Sequence, residues 1–162
     1  IMSVQIFRNG GGLYTLYAKQ TVKKEIDVLW NFFSSPKNLN EITPTDVHFR
    51  IKSGISNDFY EGKIISYKIK PFKLVTLNWI TEISHIKKGV YFIDNQIDGP
   101  YNIWHHEHHF KSNTDGTTEI IDKVKYKLPF YILGAFIHKL FIRRKLLKIF
   151  MFRQQRINEL FN

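Results

Sequence analysis

The feature that most constrains this chain is a change of hydrophobic period at Pro129. Before it, apolar residues alternate with polar ones in a series of short runs. After it, they recur at helical spacing with no proline to the end. Alternation with period two marks strands buried on one face, and spacing near 3.6 marks an amphipathic helix. Ile65, Tyr67 and Ile69 oppose Ser66, Lys68 and Lys70, with Pro71 read as the turn. Val75, Leu77, Trp79, Thr81 and Ile83 form one face of the next run. Val90 to Ile97 and Tyr101 to Lys111 flank Asp98-Gly99-Pro100, a hairpin signal. Ile120, Asp122, Val124, Tyr126 and Leu128 then alternate with Glu119, Lys123, Lys125 and Lys127. The lysine face must be solvated, so Asp122 and its apolar neighbours point inward.

Upstream, Leu13 to Val22 reads as a first strand and Glu25 to Ser34 as a short helix with Ile26, Leu29, Trp30 and Phe33 inward. Lys23 and Lys24 stand where Ser or Asp would cap that helix better. Lys37 to Ile42 suits a second short helix. Gly10-Gly11-Gly12 precedes a strand rather than a helix, so it is no phosphate loop. Residues 1–12 are expected to be a flexible segment ahead of one domain over 13–162, and Ile1 before Met2 reads as a cloning remnant. Ile132 to Phe161 predicts one helix of up to about 30 residues, or ~45 Å. About seven antiparallel strands, two short helices and one long helix can share a core if a curved sheet wraps the long helix, an α+β arrangement.

Composition removes several functions. The absence of cysteine excludes a disulfide scaffold, a thiolate nucleophile and a cysteine zinc site. No apolar run reaches the roughly 18 residues of a membrane span, and no basic start leads into an apolar stretch. A cytoplasmic protein is therefore expected. The charge is +10, from 24 Lys and Arg against 14 Asp and Glu. Such a balance permits nucleic acid, anionic membrane or acidic ligands. No helix-turn-helix, zinc finger or RNA-recognition pattern accompanies it, so nucleic acid is not expected. The basic run of the last helix contains Arg143, Arg144, Lys145 and Lys148, which fit a solvated outer face or contact with anionic headgroups.

The order of elements and several local runs resemble the SRPBCC superfamily, the helix-grip proteins that include START domains and the birch pollen allergen. The runs are Val28-Leu29-Trp30-Asn31-Phe32-Phe33-Ser34-Ser35-Pro36, Glu41-Ile42-Thr43-Pro44, Trp79-Ile80-Thr81, Asp98-Gly99-Pro100-Tyr101, Trp104 to Phe110 and Tyr126-Lys127-Leu128-Pro129-Phe130. They look closest to bacterial ligand-binding, cyclase/dehydrase-like members. The resemblance implies a cavity between sheet and helix holding a hydrophobic or amphipathic small molecule.

The chemistry concentrates in Trp104 to Phe110, which contains four histidines. On a strand, Trp104, His106, His108 and Phe110 share one face and His105, Glu107 and His109 the other. The aromatics place the first set inward. Hairpin arithmetic sets Asp94 opposite His106 or one pair away, Gln96 near Trp104, and Asp122 opposite His106 or His108, with cross-strand Cβ atoms about 4.5–5.5 Å apart. Inward polarity has a reason: a dry cavity of ~500 Å³ would cost around 12 kcal/mol. Asp94, Gln96, His106, His108 and Asp122 would wet the space, and Trp79, Trp104, Phe110 and Tyr126 would supply apolar wall, with Phe136, Leu140, Leu133 and Ile137 facing it from the helix. Trp30 and Phe33 are expected in the core. The cluster fits three readings: a satisfied hydrogen-bond network, a device orienting a ligand, or an acid–base pair with His106 and Asp122 as catalytic candidates. No metal and no cofactor are expected, since His at two-residue spacing is weak as a metal signal. His48, His85 and His138 carry no functional expectation.

Overall fold

The computed structural model describes residues 2–72 and 75–162, with the side chains of 71, 72 and 131–133 set aside. The chain runs β1 (Met2–Gly10), β2 (Leu13–Val22), α1 (Ile26–Phe33), two 3₁₀ turns (Pro36–Asn40 and Thr45–Val47), β3 (Arg50–Ser53), β4 (Lys63–Phe72), β5 (Val75–Lys87), β6 (Tyr91–Asp98), β7 (Ile103–Ser112) and β8 (Thr118–Lys127). It ends in α2 (Tyr131–Ile137), a π turn (His138–Ile142) and α3 (Arg143–Phe161). Among the described residues, eight strands form one antiparallel sheet in the order β1-β2-β8-β7-β6-β5-β4-β3. The sheet curves around the terminal helix as the period change predicted.

The eighth strand corrects the expectation of a flexible N-terminal segment. Met2–Gly10 pairs antiparallel with β2, from Met2 against Gln20 to Gly10 against Leu13. Val4 and Ile6 pack against the cluster of Tyr14, Leu16, Val124, Leu146 and Phe150. The glycine triplet is the hairpin turn, since Gly10, Gly11 and Gly12 all take positive φ, which a side chain would resist. Gln154 of α3 locks the hairpin by donating from Nε2 to the carbonyls of Ser3 and Lys19 at 3.1 and 3.0 Å. Pro71 also departs from expectation: β4 continues through Phe72 instead of turning at the proline.

The two ends of the sheet are filled differently. At one end Trp30 of α1 meets Phe59, Phe92 and Phe110 edge-on, with centroids 6.2, 5.9 and 5.6 Å away, and Ile157 of α3 closes the cluster. A Trp30→Ala change there should cost about 3–5 kcal/mol. Helix α1 has no side-chain cap, as Lys23 and Lys24 foretold. Its entry is held instead by Asn162 Oδ1 accepting from the Lys23 amide at 2.7 Å and by Thr118 Oγ1 donating to the Lys24 carbonyl at 2.7 Å. Lys63, 2% exposed, plays a comparable role in the loop before β4: its ammonium donates to the carbonyls of Ser56 and Asp58.

At the other end the terminal helix carries its π turn. Inward positions recur every four residues, at Gly134, His138, Ile142, Leu146 and Phe150, where a uniform helix repeats every 3.6. The wide turn absorbs the surplus. It also explains a correction: Phe136 and Leu140 do not face the interior but are 63% and 42% exposed. Ile137 is 37% exposed at the rim, and the Leu133 side chain lies outside the described set. Gly134 sits against the β8–α2 junction so tightly that a Cβ would come 2.6 Å from the Pro129 carbonyl oxygen.

Candidate functional site

Between sheet and helix lies a cavity of about 360 Å³. Its floor is the inner face of β5, β6 and β7, where alternation delivers Trp79, Thr81, Asp94, Trp104, His106 and His108. Leu146, Ile149, Phe150 and Arg153 of α3 form the roof, and Leu39, Ile42 and Val47 of the 3₁₀ segment one side. Phe130 and Ile137 mark the mouth, and Phe130 is 77% exposed. The wall is mostly apolar, with Ser35, Asn38, Thr43 and Lys145 on the helix side, and its other charged or imidazole groups gather at one place.

That place is a ring of four side chains. The strand register sets Asp94 opposite His106 and Asp122 opposite His108. The side chains also cross diagonally. His106 Nε2 donates to Asp122 Oδ1 at 2.9 Å, and His108 Nε2 donates to Asp94 Oδ2 at 2.7 Å. The remaining nitrogens face the other carboxylates: His106 Nδ1 lies 3.5 Å from Asp94 Oδ2, and His108 Nδ1 lies 3.0 Å from Asp122 Oδ1 without hydrogen-bond alignment. The imidazole centroids are 3.7 Å apart. Arg153 completes the group from α3, with Nη1 3.4 Å from Asp122 Oδ1 and its guanidinium 4.9 Å over the Phe150 ring.

Burial decides the charges. It pushes the Asp122 carboxyl up, but the imidazole hydrogen bonds and the Arg153 charge outweigh it and hold Asp122 well below the usual carboxylate range. Asp94 is likewise held down against burial by the two histidines and Arg153. Burial also disfavours both imidazolium ions. At His108 the two facing carboxylates, Asp122 and Asp94, reverse that and raise its pKa, whereas at His106 burial and the His108 charge prevail and lower it. The two carboxylates therefore face the Arg153 guanidinium and the more basic imidazole of His108, so opposite charges offset one another within the set. The offset matters because an uncompensated buried charge costs several kcal/mol. Besides His108 Nδ1, Trp79 Nε1 and Arg153 Nε in the wall have no partner among the described residues. Such orphans are uncommon in a finished interior.

The other expected site residues take different places. Trp79 and Trp104 stand edge-to-face in the floor, 5.0 Å between centroids. Phe110 belongs to the packed end beside Trp30 and Phe33. Gln96 turns away to Tyr101, donating to its carbonyl at 2.6 Å. Asp122 stands behind the histidines. Tyr126 is fully buried and its hydroxyl is 2.8 Å from Nε2 of His138, itself stacked on Tyr14 at 3.6 Å. Phe33 was expected wholly in the core, yet it also borders the cavity. Sequence reasoning missed Arg153 and His138. Arg153 was legible as a basic residue seven positions after Leu146 on the inward stripe. His138 was legible only with knowledge of the π turn.

Among the described residues, Asp94, His106 and His108 form the one group able to offer a metal three ligand atoms, all within 4.8 Å of one another. Those atoms already serve the hydrogen-bond ring beside a guanidinium, and a cation there would have to displace protons from it. Of the basic helix residues, Lys145 and Lys148 reach Asp46 at 3.1 and 2.9 Å. No described helix is long and apolar enough to cross a membrane.

No protein-family model and no curated protein sequence matches this chain. Solved structures do. Protein Ms6760 from Mycobacterium smegmatis is similar over 98% of this chain and 97% of its own, with TM-score 0.68 and 14% identity. Ginseng major latex-like protein 151 from Panax ginseng is similar over 93% and 99%, with TM-score 0.66 and 14% identity. CalU16 from Micromonospora echinospora is similar over 96% and 94%, with TM-score 0.55 and 11% identity. At such identities the likeness is one of fold, and it agrees with the helix-grip architecture.

Proposed function

We propose that this protein binds a hydrophobic or amphipathic small molecule, lipid-like or polyketide-like, between sheet and terminal helix. The observation that carries the reading is a largely apolar cavity of about 360 Å³ whose charged and imidazole groups, Lys145 apart, gather in one place. Left dry, that volume would cost around 9 kcal/mol at ~24 cal/mol per Å³. A domain's whole stability is about 5–15 kcal/mol. A space retained at that cost is a space to be filled, and 300–1,000 Å³ is the usual range for small-molecule sites. The ligand's apolar part would lie against Trp79, Trp104, Leu146 and Phe150. Its polar end would meet the His106–His108 wall, where acceptor oxygens suit the unpartnered donors of Trp79 and Arg153.

The alternative, a cyclase/dehydratase-like enzyme with a His–Asp acid–base pair, needs an imidazole nitrogen free to reach substrate. Both nitrogens of His106 and of His108 face carboxylates. The ring geometry therefore favours binding over proton transfer.

Native mass spectrometry of the purified protein should show a co-purified or added apolar molecule at one per chain. Saturable binding should also shift the Trp79 and Trp104 emission. His106→Ala should weaken binding severalfold with no turnover to lose. Failure of every apolar probe to saturate one site would reject the reading.

A further inference from the structure

We propose that the face formed by Phe136, Leu140 and Phe141 together with Lys139, Arg143 and Arg144 is a docking surface for an anionic lipid bilayer, placed so that the cavity mouth opens against it. The surface stands on its own observations, and only its purpose, loading and unloading the cavity, rests on the binding reading above.

The exposed apolar residues are unusual in size and placement. Phe136 is 63% exposed, Phe141 55%, Leu140 42% and the adjacent Phe130 77%. Scattered apolar residues on a surface are ordinary, but a contiguous group on one helix marks a contact. They include two residues whose helical spacing had placed them inside. The π turn at His138–Ile142 gives the inward positions to Gly134, His138 and Ile142, and so turns Phe136 and Leu140 outward.

Charge selects the occupant. From Lys123 to Asn158 there is no Asp or Glu. Lys139, Arg143 and Arg144 are exposed and have no ion pair among the described residues, in contrast to Lys145 and Lys148 on Asp46. Arg8 lies close enough for its charge to act, with that of Arg143, on His138. A second copy of this chain seated face to face would bring these cations together. An acidic headgroup layer would instead neutralise them while the phenyl rings enter the acyl boundary, the arrangement of an interfacial helix. Position supplies the last link. Phe130 and Ile137 belong both to this region and to the cavity wall, so a bilayer meeting the face also meets the mouth.

The test uses vesicles of phosphatidylcholine with and without about 30% phosphatidylserine, an anionic surface of physiological type. The unaltered protein should sediment with the anionic vesicles, release in high salt, and leave neutral vesicles largely bare. Arg143→Glu with Arg144→Glu should weaken partitioning at least about tenfold, given roughly fivefold per removed charge. Phe136→Ser with Phe141→Ser should weaken it comparably without changing net charge. Lys87→Glu with Lys88→Glu reverses the same number of charges in the β5–β6 turn, next to Phe92 in the cluster that holds the far end of α3, and should change partitioning less than twofold. Equal loss in both charge-reversal pairs, or no binding by the unaltered protein, overturns the proposal. So does a stable dimer that Phe136→Ser with Phe141→Ser converts to monomer. Apolar-probe binding in the same variants separates the two readings: docking lost with binding intact leaves the cavity function standing, and the converse leaves the docking surface standing.

Discussion

Two groups of polar side chains are buried under the same helix, and they meet burial in opposite ways. The ring of Asp94, His106, His108 and Asp122 with Arg153 stays charged and balances its charges internally. Tyr126 and His138, packed with Tyr14, stay neutral. Burial, then the charges of Arg143 and Arg8, lowers His138 to about 4 from 6.5, and burial holds the Tyr126 phenol well above its ordinary value. The charged set borders the cavity, whereas the neutral set seals the π turn onto β2 and β8. Charge is kept beside open space and removed where only packing is required.

The largest test of this contrast removes one charge from the ring. Asp122→Ala strands Arg153 and two imidazoles, and denaturant unfolding should show a loss of about 3–5 kcal/mol. Adding Arg153→Met should restore part of it; no restoration would mean that the ring is not balanced as a unit.

The neutral set should respond to pH instead. His138 is neutral in the fold and binds a proton more readily once unfolded. Its contribution is therefore whole above the unfolded value of 6.5, falls as pH drops, and stops falling near 4. The full shift corresponds to about 3 kcal/mol. Unfolding measured from pH 7 to 4 should fall less steeply in His138→Gln than in the unaltered protein. Parallel curves would place the acid sensitivity at His106, which is also lowered. The ring carboxylates add their slope only at the acid end of this window, below about pH 5, where the unfolded carboxylates begin to take up protons and the folded ones, held low, do not.

A smaller effect separates the sets by hydrogen bonding alone. Tyr126→Phe removes a single bond to His138 and should cost about 1–2 kcal/mol. An exposed ion pair is the lower reference: Lys19→Ala breaks the surface pair with Glu119, 2.6 Å, and should cost clearly less than Tyr126→Phe. A Tyr126→Phe cost as small as this would mean that the trio is not sealed from water.

Much of the fold was legible because sheet patterning is local. The lysine face of β8 and the hairpin at Asp98-Gly99-Pro100 placed Asp94 opposite His106 and Asp122 opposite His108 within one pair. The first strand was missed because the glycine triplet looks like the end of a tail unless Val4 and Ile6 are noted as alternating partners for β2. The candidate site was legible in part. Asp94, Trp79, Trp104, His106 and His108 face the cavity, while Phe110 and Tyr126 pack behind it. Helical spacing from Leu146 puts Arg153 on the inward stripe, but its pairing with Asp122 joins a helix to a strand more than thirty residues away, which no local pattern supplies.

By itself the sequence determined the curved sheet, the inward face of β7 and the approach of two carboxylates to two imidazoles, because period two fixes the face of a strand and hairpin turns fix its register to within one pair. Only the tertiary structure decided which way the start of the terminal helix turns. A helix has a continuous choice of rotation, and one widened turn, set by the seat of Gly134 against Pro129 and of His138 against Tyr14 and Tyr126, sent Phe136 and Leu140 outward and left the cavity roof to Leu146, Phe150 and Arg153.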